Sequence, residues 1–275
     1  MNAQQFVRRA SLALCVFAVS AMAFGQAPQV KDQFEPQVGQ AGKDVVWVPT
    51  PQGLVDKMLD LAKTTKQDYL MDLGSGDGRT VITAAKRGAR ALGVEYNPDM
   101  VELSKRNAAK ENLGDKVAFV KADLFETDFS QATVITMFLL PEINLKLRPK
   151  ILDLKPGTRV VSNTFTMGDW KPDDTASITD NCSSWCTALL WIVPAKAGGT
   201  WRLPQGELKL TQNFQEISGT LSTGGNTVTI ANGKMRADEI SFSAGAAQYT
   251  GRVAGNTING SVKSGGNTSN WSATR

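Results

Sequence analysis

The sequence predicts an α/β fold with a mainly parallel sheet, followed by a small all-β antiparallel domain. Two observations predict it. Short apolar strands alternate with helical segments from residue 50 to about residue 164, the pattern of βαβ units with right-handed crossovers. Past the Pro194-Ala195-Lys196-Ala197-Gly198-Gly199 segment the composition changes abruptly to Gly, Thr, Ser and Asn, in short period-2 runs.

Thr50-Pro51 suits a helix start, with Thr50 as the cap and Pro51 at the first helical position. Leu54, Val55, Met58, Leu59 and Leu61 follow at helical spacing. Tyr69 to Met71 is then a strand, and Thr80 to Arg87 a helix ended by Gly88. Ala91 to Glu95 is a strand, Pro98 to Lys110 a helix, and Val117 to Val120 a strand. Val134 to Leu140, a helix from Pro141 to Leu152, and a strand from Thr158 to Thr164 complete the alternation. Residues 175–193 read as two further strands around a cysteine hairpin. In the tail, Glu207–Thr211, Ile217–Leu221, Thr227–Ile230, Glu239–Phe242, Gln248–Val253, Thr257–Val262 and Asn270–Ser272 are short strands. Gly224-Gly225-Asn226, Asn232-Gly233 and Gly265-Gly266-Asn267 read as turns between them, giving a meander, sandwich or barrel.

The chain has 275 residues, enough for one large and one small domain, and a net charge of +4. Its first 25 residues read as a signal peptide: Arg8-Arg9 as the basic region, Ser11 to Ala23 as the apolar stretch, and a small-residue cleavage site around Ala21 to Gly25. The paired arginines partly match a twin-arginine export signal. The apolar run is short for a membrane span; an uncleaved anchor is the alternative. After cleavage no stable membrane span is expected, and the location is the periplasm or the exterior. The remaining chain is nearly neutral and lacks a long basic block, so nucleic acid is not expected as a partner. Residues 26–43 are polar with scattered Pro and Gly and read as a linker or arm.

There is no histidine. That excludes Ser-His-Asp and Cys-His hydrolases and the usual catalytic zinc sets, and no metal is expected. With Cys15 inside the signal peptide, Cys182 and Cys186 remain, four apart around Ser183-Ser184-Trp185. An oxidising compartment permits a disulfide between them; two isolated buried thiols are the alternative.

The strongest signal is Asp68-Tyr69-Leu70-Met71-Asp72-Leu73-Gly74-Ser75-Gly76-Asp77-Gly78-Arg79, a strand, an acidic end, three glycines at alternate positions, then a helix. Dinucleotide sites use G-x-G-x-x-G to seat a pyrophosphate on a helix N-terminus. Here the spacing is G-x-G-x-G, directly after an acid that disfavours an anionic pyrophosphate. Asp72 suits a ligand with a positive end, such as the amino group or sulfonium of S-adenosylmethionine. Glu95, about 20 residues beyond the glycine loop at the next strand end, is placed to bind two ribose hydroxyls. Asp123, after the third strand, can accept from an adenine amino group, with Leu124 and Phe125 against the ring. Three acids in register on three successive strand ends point to one nucleoside-containing ligand.

On these residues the chain resembles class I S-adenosylmethionine-dependent methyltransferases. Within them it is most similar to the mitochondrial ATP-synthase c-subunit lysine methyltransferases and their bacterial relatives. Val48-Pro49-Thr50-Pro51, Asp72 to Arg79, Gly93-Val94-Glu95-Tyr96-Asn97-Pro98, Asp123-Leu124, and Leu139-Leu140-Pro141 leading into Leu145-Lys146-Leu147 carry the resemblance, over about residues 44–170. It implies a Rossmann-like methyltransferase domain with a mainly parallel seven-stranded sheet at 44–196, the β-rich domain following at 200–275. By position Asp72, Gly74, Ser75, Gly76, Asp77, Gly78, Glu95, Tyr96, Asp123 and Leu124 would hold the cofactor. Trp47, Pro49 and Thr50 would cover its methionine end, and Leu140, Pro141 and Glu142 would face the acceptor. Glu142 is the one candidate base, an exposed helix-start carboxylate being the alternative. Trp170, Trp185 and Trp191 are candidates for an acceptor pocket or for core. The chain lacks an Asn/Asp-Pro-Pro-aromatic motif after the fourth strand, which argues against N-methylation of bases or amides.

The function this implies is an exported methyltransferase acting on a protein side chain, lysine above others, with the β domain recruiting an envelope partner. The rivals are a small-molecule methyltransferase and a cofactor-binding envelope protein that no longer turns over. Export motivates the last, because S-adenosylmethionine is made in the cytoplasm.

Overall fold

The computed structural model describes residues 34–275. The expected signal peptide with Arg8, Arg9 and Cys15, and the first part of the 26–43 arm, lie outside the described residues.

The alternating half folds as α1 (Gln52–Leu61), β1 (Tyr69–Leu73), α2 (Arg79–Lys86), β2 (Arg90–Glu95), α3 (Pro98–Ala109), β3 (Val117–Lys121), β4 (Val134–Met137), α4 (Pro141–Leu152) and β5 (Arg159–Asn163). A hairpin of β6 (Asp174–Ser177) and β7 (Thr187–Ile192) follows. These strands form one seven-stranded sheet in the order β3-β2-β1-β4-β5-β7-β6. The first five are mutually parallel, and β7 runs antiparallel to both β5 and β6. The order reverses at β1, so the loops after β1 and β4 diverge and open a crevice at the carboxyl ends of the strands.

Apolar runs on both faces of β1 and β4 require cover on both sides. On one face, Leu54, Leu59, Val81, Ile82, Val101 and Ala108 of α1, α2 and α3 pack on Leu70, Val134 and Val161. On the other, Ile143, Leu147 and Ile151 of α4 join Met71, Leu73, Ile135 and Val160, with Trp170 and Trp191 fully buried beside them. The Trp191 indole donates to the Trp170 carbonyl at 2.8 Å. Two of the three candidate acceptor tryptophans are therefore core.

Thr50 does not cap α1. The helix starts from Pro51 without a side-chain cap. Thr50 is instead buried between strand ends, its hydroxyl accepting from Asn163 Nδ2 at 3.3 Å and its carbonyl from Arg79 Nη1 at 2.8 Å. Asn97 does cap α3, accepting from the Asp99 N–H at 2.9 Å ahead of Pro98 at the first helical position.

The tail is a closed eight-stranded meander of β8 (Gly199–Leu203), β9 (Gly206–Asn213), β10 (Glu216–Thr223), β11 (Asn226–Arg236), β12 (Glu239–Ala244), β13 (Ala247–Ala254), β14 (Thr257–Ser264) and β15 (Asn267–Thr274). Period-2 alternation sends Trp201, Leu208, Leu210, Ile230, Ile240, Phe242, Val253, Ile258 and Trp271 inward. Asn232-Gly233 is not a turn: β11 runs straight through it. Asn232, at φ 53°, lies where the pairing with β12 shifts register between Ala231 and Lys234, so the turn-prone pair serves as a bulge.

The barrel docks on the sheet. Phe214 stacks on Trp170 at 5.7 Å, Gln215 Nε2 donates to the Lys171 carbonyl, and the Ala195 N–H to the Ala237 carbonyl. A chain ended at residue 196 is expected to keep its cooperative melt, since the sheet has its own two cores. Losing Phe214 from Trp170 removes roughly 2 kcal/mol of apolar burial, a drop of roughly 4–8 °C in melting temperature. Loss of the cooperative transition would show instead that barrel and sheet share one folding unit.

Among the described residues no helix is long and apolar enough to cross a membrane.

Candidate functional site

A cavity of about 430 Å³ lies across the carboxyl ends of the strands. Asp72 is the next-to-last residue of β1, Glu95 closes β2 and Asp123 follows β3, and all three line it. Because the strand order is β3-β2-β1-β4-β5-β7, the lining residues lie in a row: Asp123, Glu95, Asp72, then Phe138 after β4, Phe165 after β5, and Trp185 before β7. The acids occupy one end and the aromatic side chains the other.

The glycine loop is held from below. Gly74 and Ser75 donate to the Val94 carbonyl at 2.9 and 3.0 Å, and Gly76 donates to Glu95 Oε2 at 2.9 Å. Glu95 Oε1 accepts from Asn97 N–H at 2.9 Å, so one carboxylate ties the loop after β1 to the start of α3. The Ser104 hydroxyl donates to the Gly76 carbonyl at 2.8 Å. Gly76 has φ 55°, and a Cβ there would sit 2.8 Å from the Trp47 indole nitrogen. Only glycine allows both that turn and the indole's close approach. Gly78, also left-handed, faces Phe119 and Ser104 inside the fold and does not line the cavity.

Asp72 is buried, accepting from the Thr136 hydroxyl at 2.6 Å. Burial pushes its carboxyl up to about 7, against hydrogen bonds from Thr136 and Thr80 that favour the anion. The charges of Asp77 and Glu95 push in the same direction as burial, and among the described residues no lysine or arginine forms a salt bridge with Asp72. It is a carboxylate in want of a cation.

The segment before α1, part of the expected arm, is a small hairpin over the cavity. Gly39 N–H donates to Trp47 O, Trp47 N–H to Gln40 O, and Gly42 N–H to Val45 O. Residues 40–50 line the cavity, Trp47, Pro49 and Thr50 among them. At the tip, Lys43 Nζ reaches Asp123 Oδ2 at 2.6 Å and lies 4.9 Å from the centre of the Tyr96 ring. The Lys43 ammonium, with the Phe125 N–H on Oδ1, holds the Asp123 carboxyl below its ordinary value. Nothing in the residue pattern pointed to this lysine, 80 positions from its partner.

Residues 72–174 match the family described as the ANTKMT methyltransferase domain. A protein-lysine N-methyltransferase of Saccharolobus islandicus is 44% identical over 139 residues, which cover 50% of this chain and 86% of that one. The chain belongs to this methyltransferase family. The human lysine N-methyltransferase of the ATP-synthase c-subunit is 34% identical over 128 residues, 46% of this chain and 54% of that protein, so the match spans about half the human enzyme. A crystal structure described as an RNA methyltransferase from Salinibacter ruber, bound to S-adenosylhomocysteine, is 47% identical. It covers 54% of this chain and 95% of that one, with a TM-score of 0.51.

The methyltransferase uses S-adenosylmethionine, and its cavity fits that donor. The ligand's amino group would give Asp72 a cation, and its adenine amino group would give Asp123 a donor in the place of Lys43. Tyr96, Leu124, Ser75 and Asp77 line the same space, as does Leu140. Pro141 and Glu142 do not. Glu142 is exposed on the first turn of α4, which removes it as a base acting inside the cavity. The aromatic end was legible only in fragments: Phe138 and Phe165 carry no motif, and Trp185 was one of three equivalent tryptophans. The structure joins Cys182 to Cys186 in a disulfide, with Trp185 inside the loop.

Lys43→Met is expected to tighten S-adenosylmethionine binding roughly two- to fivefold, the scale of an exposed ion pair, because adenine no longer competes with an ammonium for Asp123. Weaker binding in a titration would show that Lys43 supports the adenine instead.

Proposed function

We propose that this methyltransferase modifies a lysine side chain of a protein and works after export from the cytoplasm. The observation that carries the acceptor reading is the 44% identity to a protein-lysine N-methyltransferase that the chain covers almost end to end. The aromatic end of the cavity supports it, since Phe138, Phe165 and Trp185 suit an aliphatic stem ending in an amine.

When bound, S-adenosylmethionine supplies a methyl group on a sulfonium, ready for in-line displacement. Asp72 would hold the amino group, Glu95 the ribose hydroxyls, and Asp123 the adenine amino group, with Leu124 and Tyr96 on the adenine side. Gly74, Ser75, Gly76 and Asp77 shape the loop beneath, and Trp47, Pro49 and Thr50 would cover the methionine end. Leu140 lines the acceptor side. Orientation of the two reactants supplies most of the acceleration. The attacking amine has to be neutral, and the aromatic wall of Phe138, Phe165 and Trp185 favours that form by partial desolvation.

Export rests on the signal-like first 25 residues, and the Cys182–Cys186 bridge supports it, because disulfides persist in oxidising compartments. The barrel, docked away from the cavity, is left to recruit a partner or envelope surface.

The test is calorimetric titration of the purified protein with S-adenosylmethionine and S-adenosylhomocysteine, then incubation of envelope extracts with methyl-labelled donor. Micromolar binding of both and label in lysine of a protein is the expected result. Label in RNA, which the Salinibacter ruber relative's description makes worth assaying, would replace the acceptor reading. No binding at millimolar donor would favour a retired enzyme. An intact N-terminus on the protein from its native host would overturn cleavage and export by this signal.

A further inference from the structure

The loop between β6 and β7 is closed on itself by the Cys182–Cys186 disulfide, a ring of five residues whose other members are Ser183, Ser184 and Trp185. Trp185 lines the cavity and is 42% exposed, while Trp170 and Trp191 are fully buried. Its ring meets Phe138 edge-on at 5.9 Å, and Phe138 stacks on Phe165 at 5.8 Å. These three rings come from the loops after β4 and β5 and before β7, beyond Asp72 in the row of strand ends. The adenine and ribose acids lie on the other side of Asp72. The three-ring wall is therefore next to the methionine end, where an acceptor has to reach the methyl group.

Trp185 holds this place in a costly conformation. Its φ is 56°, a left-handed backbone that bulky side chains rarely adopt and that costs on the order of 1–3 kcal/mol. Asn181, just outside the ring, is also left-handed at φ 52°. Apart from the covalent bridge, Cys186 O accepts from Ile178 N–H at 3.0 Å, and Cys182 Sγ contacts the Ser184 carbonyl at 3.4 Å. The Cys186 link anchors the base of the loop and the Cys182 contact lies within it, so the disulfide is the main constraint on Trp185.

We propose that Trp185 is the residue that receives the acceptor's amine-bearing side chain, and that the Cys182–Cys186 bridge presents it. The proposal rests on the lysine-acceptor reading above. An aromatic face covers a methylene stem and leaves the amine at its tip, and Trp185 supplies the one ring of the wall that a covalent switch can withdraw. Reduction by a dithiol breaks the S–S bond, converts both sulfurs to thiols with two electrons and two protons, and oxidises the dithiol to its own disulfide. The loop then relaxes from its left-handed backbone, and the wall loses its third ring. The donor site is left in place, because Asp72, Glu95 and Asp123 are held by Thr136, Gly76, Asn97, Phe125 and Lys43 and, among the described residues, by no hydrogen bond from the loop. Acceptor binding is oxidation-dependent, and donor binding is not.

The experiment uses the full protein labelled with 5-fluorotryptophan, with S-adenosylhomocysteine bound and Nα-acetyl-lysine methylamide as the probe. The Trp185 resonance, assigned by its disappearance in Trp185→Phe, is expected to shift saturably with the probe. After reduction the shift should be lost, while S-adenosylhomocysteine affinity stays within twofold. Cys182→Ser with Cys186→Ser should reproduce the reduced behaviour without a reductant. For methyl transfer, Trp185→Ala should raise the acceptor KM at least tenfold with little change in kcat, and Trp185→Phe should recover most of it. A Trp185 signal that ignores the probe overturns the proposal: if lysine is still methylated, the acceptor reading survives alone, and if it is not, both fall. A shift that persists unchanged after reduction overturns the role of the bridge.

Discussion

Replacing Asp72 by Asn is expected to stabilise the free protein above pH 7 and to remove most of its affinity for S-adenosylmethionine. The two effects share one cause. Unfolded, Asp72 titrates near its ordinary value of 3.8; folded, burial raises it to about 7. Between those values the native chain binds a proton that the unfolded chain has released, so stability falls as pH rises through the window. The loss is complete above pH 7 and amounts to about 4 kcal/mol, at 1.36 kcal/mol per pKa unit. Asn carries no charge to desolvate and can still accept from Thr136, so the variant escapes that loss. Its melting temperature at pH 8 should exceed the parent's by roughly 5–15 °C, with the gap closing toward pH 4. Binding runs the opposite way. The donor's amino group loses its buried counter-charge, and leaving one member of a buried pair alone costs about 3–5 kcal/mol, more than a hundredfold in Kd. In the parent, affinity should weaken as pH falls below 7, approaching tenfold per unit where the proton must leave before the ligand enters. Equal melting temperatures of parent and variant at pH 8, or undiminished binding by the variant, would remove Asp72 from this role.

The same residue shows why the acidic end of the cavity was legible in the sequence. Asp72, Glu95 and Asp123 each follow a parallel strand, and parallel strands put their carboxyl ends on one edge. Spacing along the chain therefore translates into a row in space without any knowledge of tertiary contacts. Glycines at positions 74 and 76 are local requirements of the turn and can be read locally. Lys43 and the wall of Phe138, Phe165 and Trp185 obey no such rule. Lys43 meets Asp123 only because a hairpin before the first helix folds back over the sheet. The three rings come from separate loops brought together by the order in which β4, β5 and β7 pair. A tryptophan looks the same in sequence whether it fills a core, as Trp170 and Trp191 do, or faces a cavity, as Trp185 does between its two cysteines. In the tail, Asn232-Gly233 has the composition of a turn, yet closure of the barrel keeps both residues inside one strand, where their backbone freedom serves a bulge.

Glu95→Ala is expected to weaken S-adenosylmethionine binding by much more than tenfold, because Glu95 stands under the site as well as in it. A charge-assisted hydrogen bond is worth about 1.5–3 kcal/mol, so loss of the bonds to the ribose alone accounts for at least tenfold. The structure adds a second loss. Oε2 accepts from Gly76 N–H and Oε1 from Asn97 N–H, both at 2.9 Å. Alanine leaves both donors unpaired beneath the glycine loop and at the N-cap of α3. The loop that brings Gly76 against Trp47 is then no longer tied to β2, so the cofactor meets a site that must first be ordered. Glu95→Gln separates the contributions. Its carbonyl oxygen can still accept one of the two N–H groups and a ribose hydroxyl, so its affinity should lie between the parent's and that of Glu95→Ala. Titration with S-adenosylhomocysteine, alongside melting curves of the free proteins, gives the answer. If both variants lose affinity equally and melt like the parent, ribose binding is the whole role of Glu95. If Glu95→Ala alone melts lower and binds worst, the carboxylate also builds the loop that holds the donor, and that is the result the two backbone bonds imply.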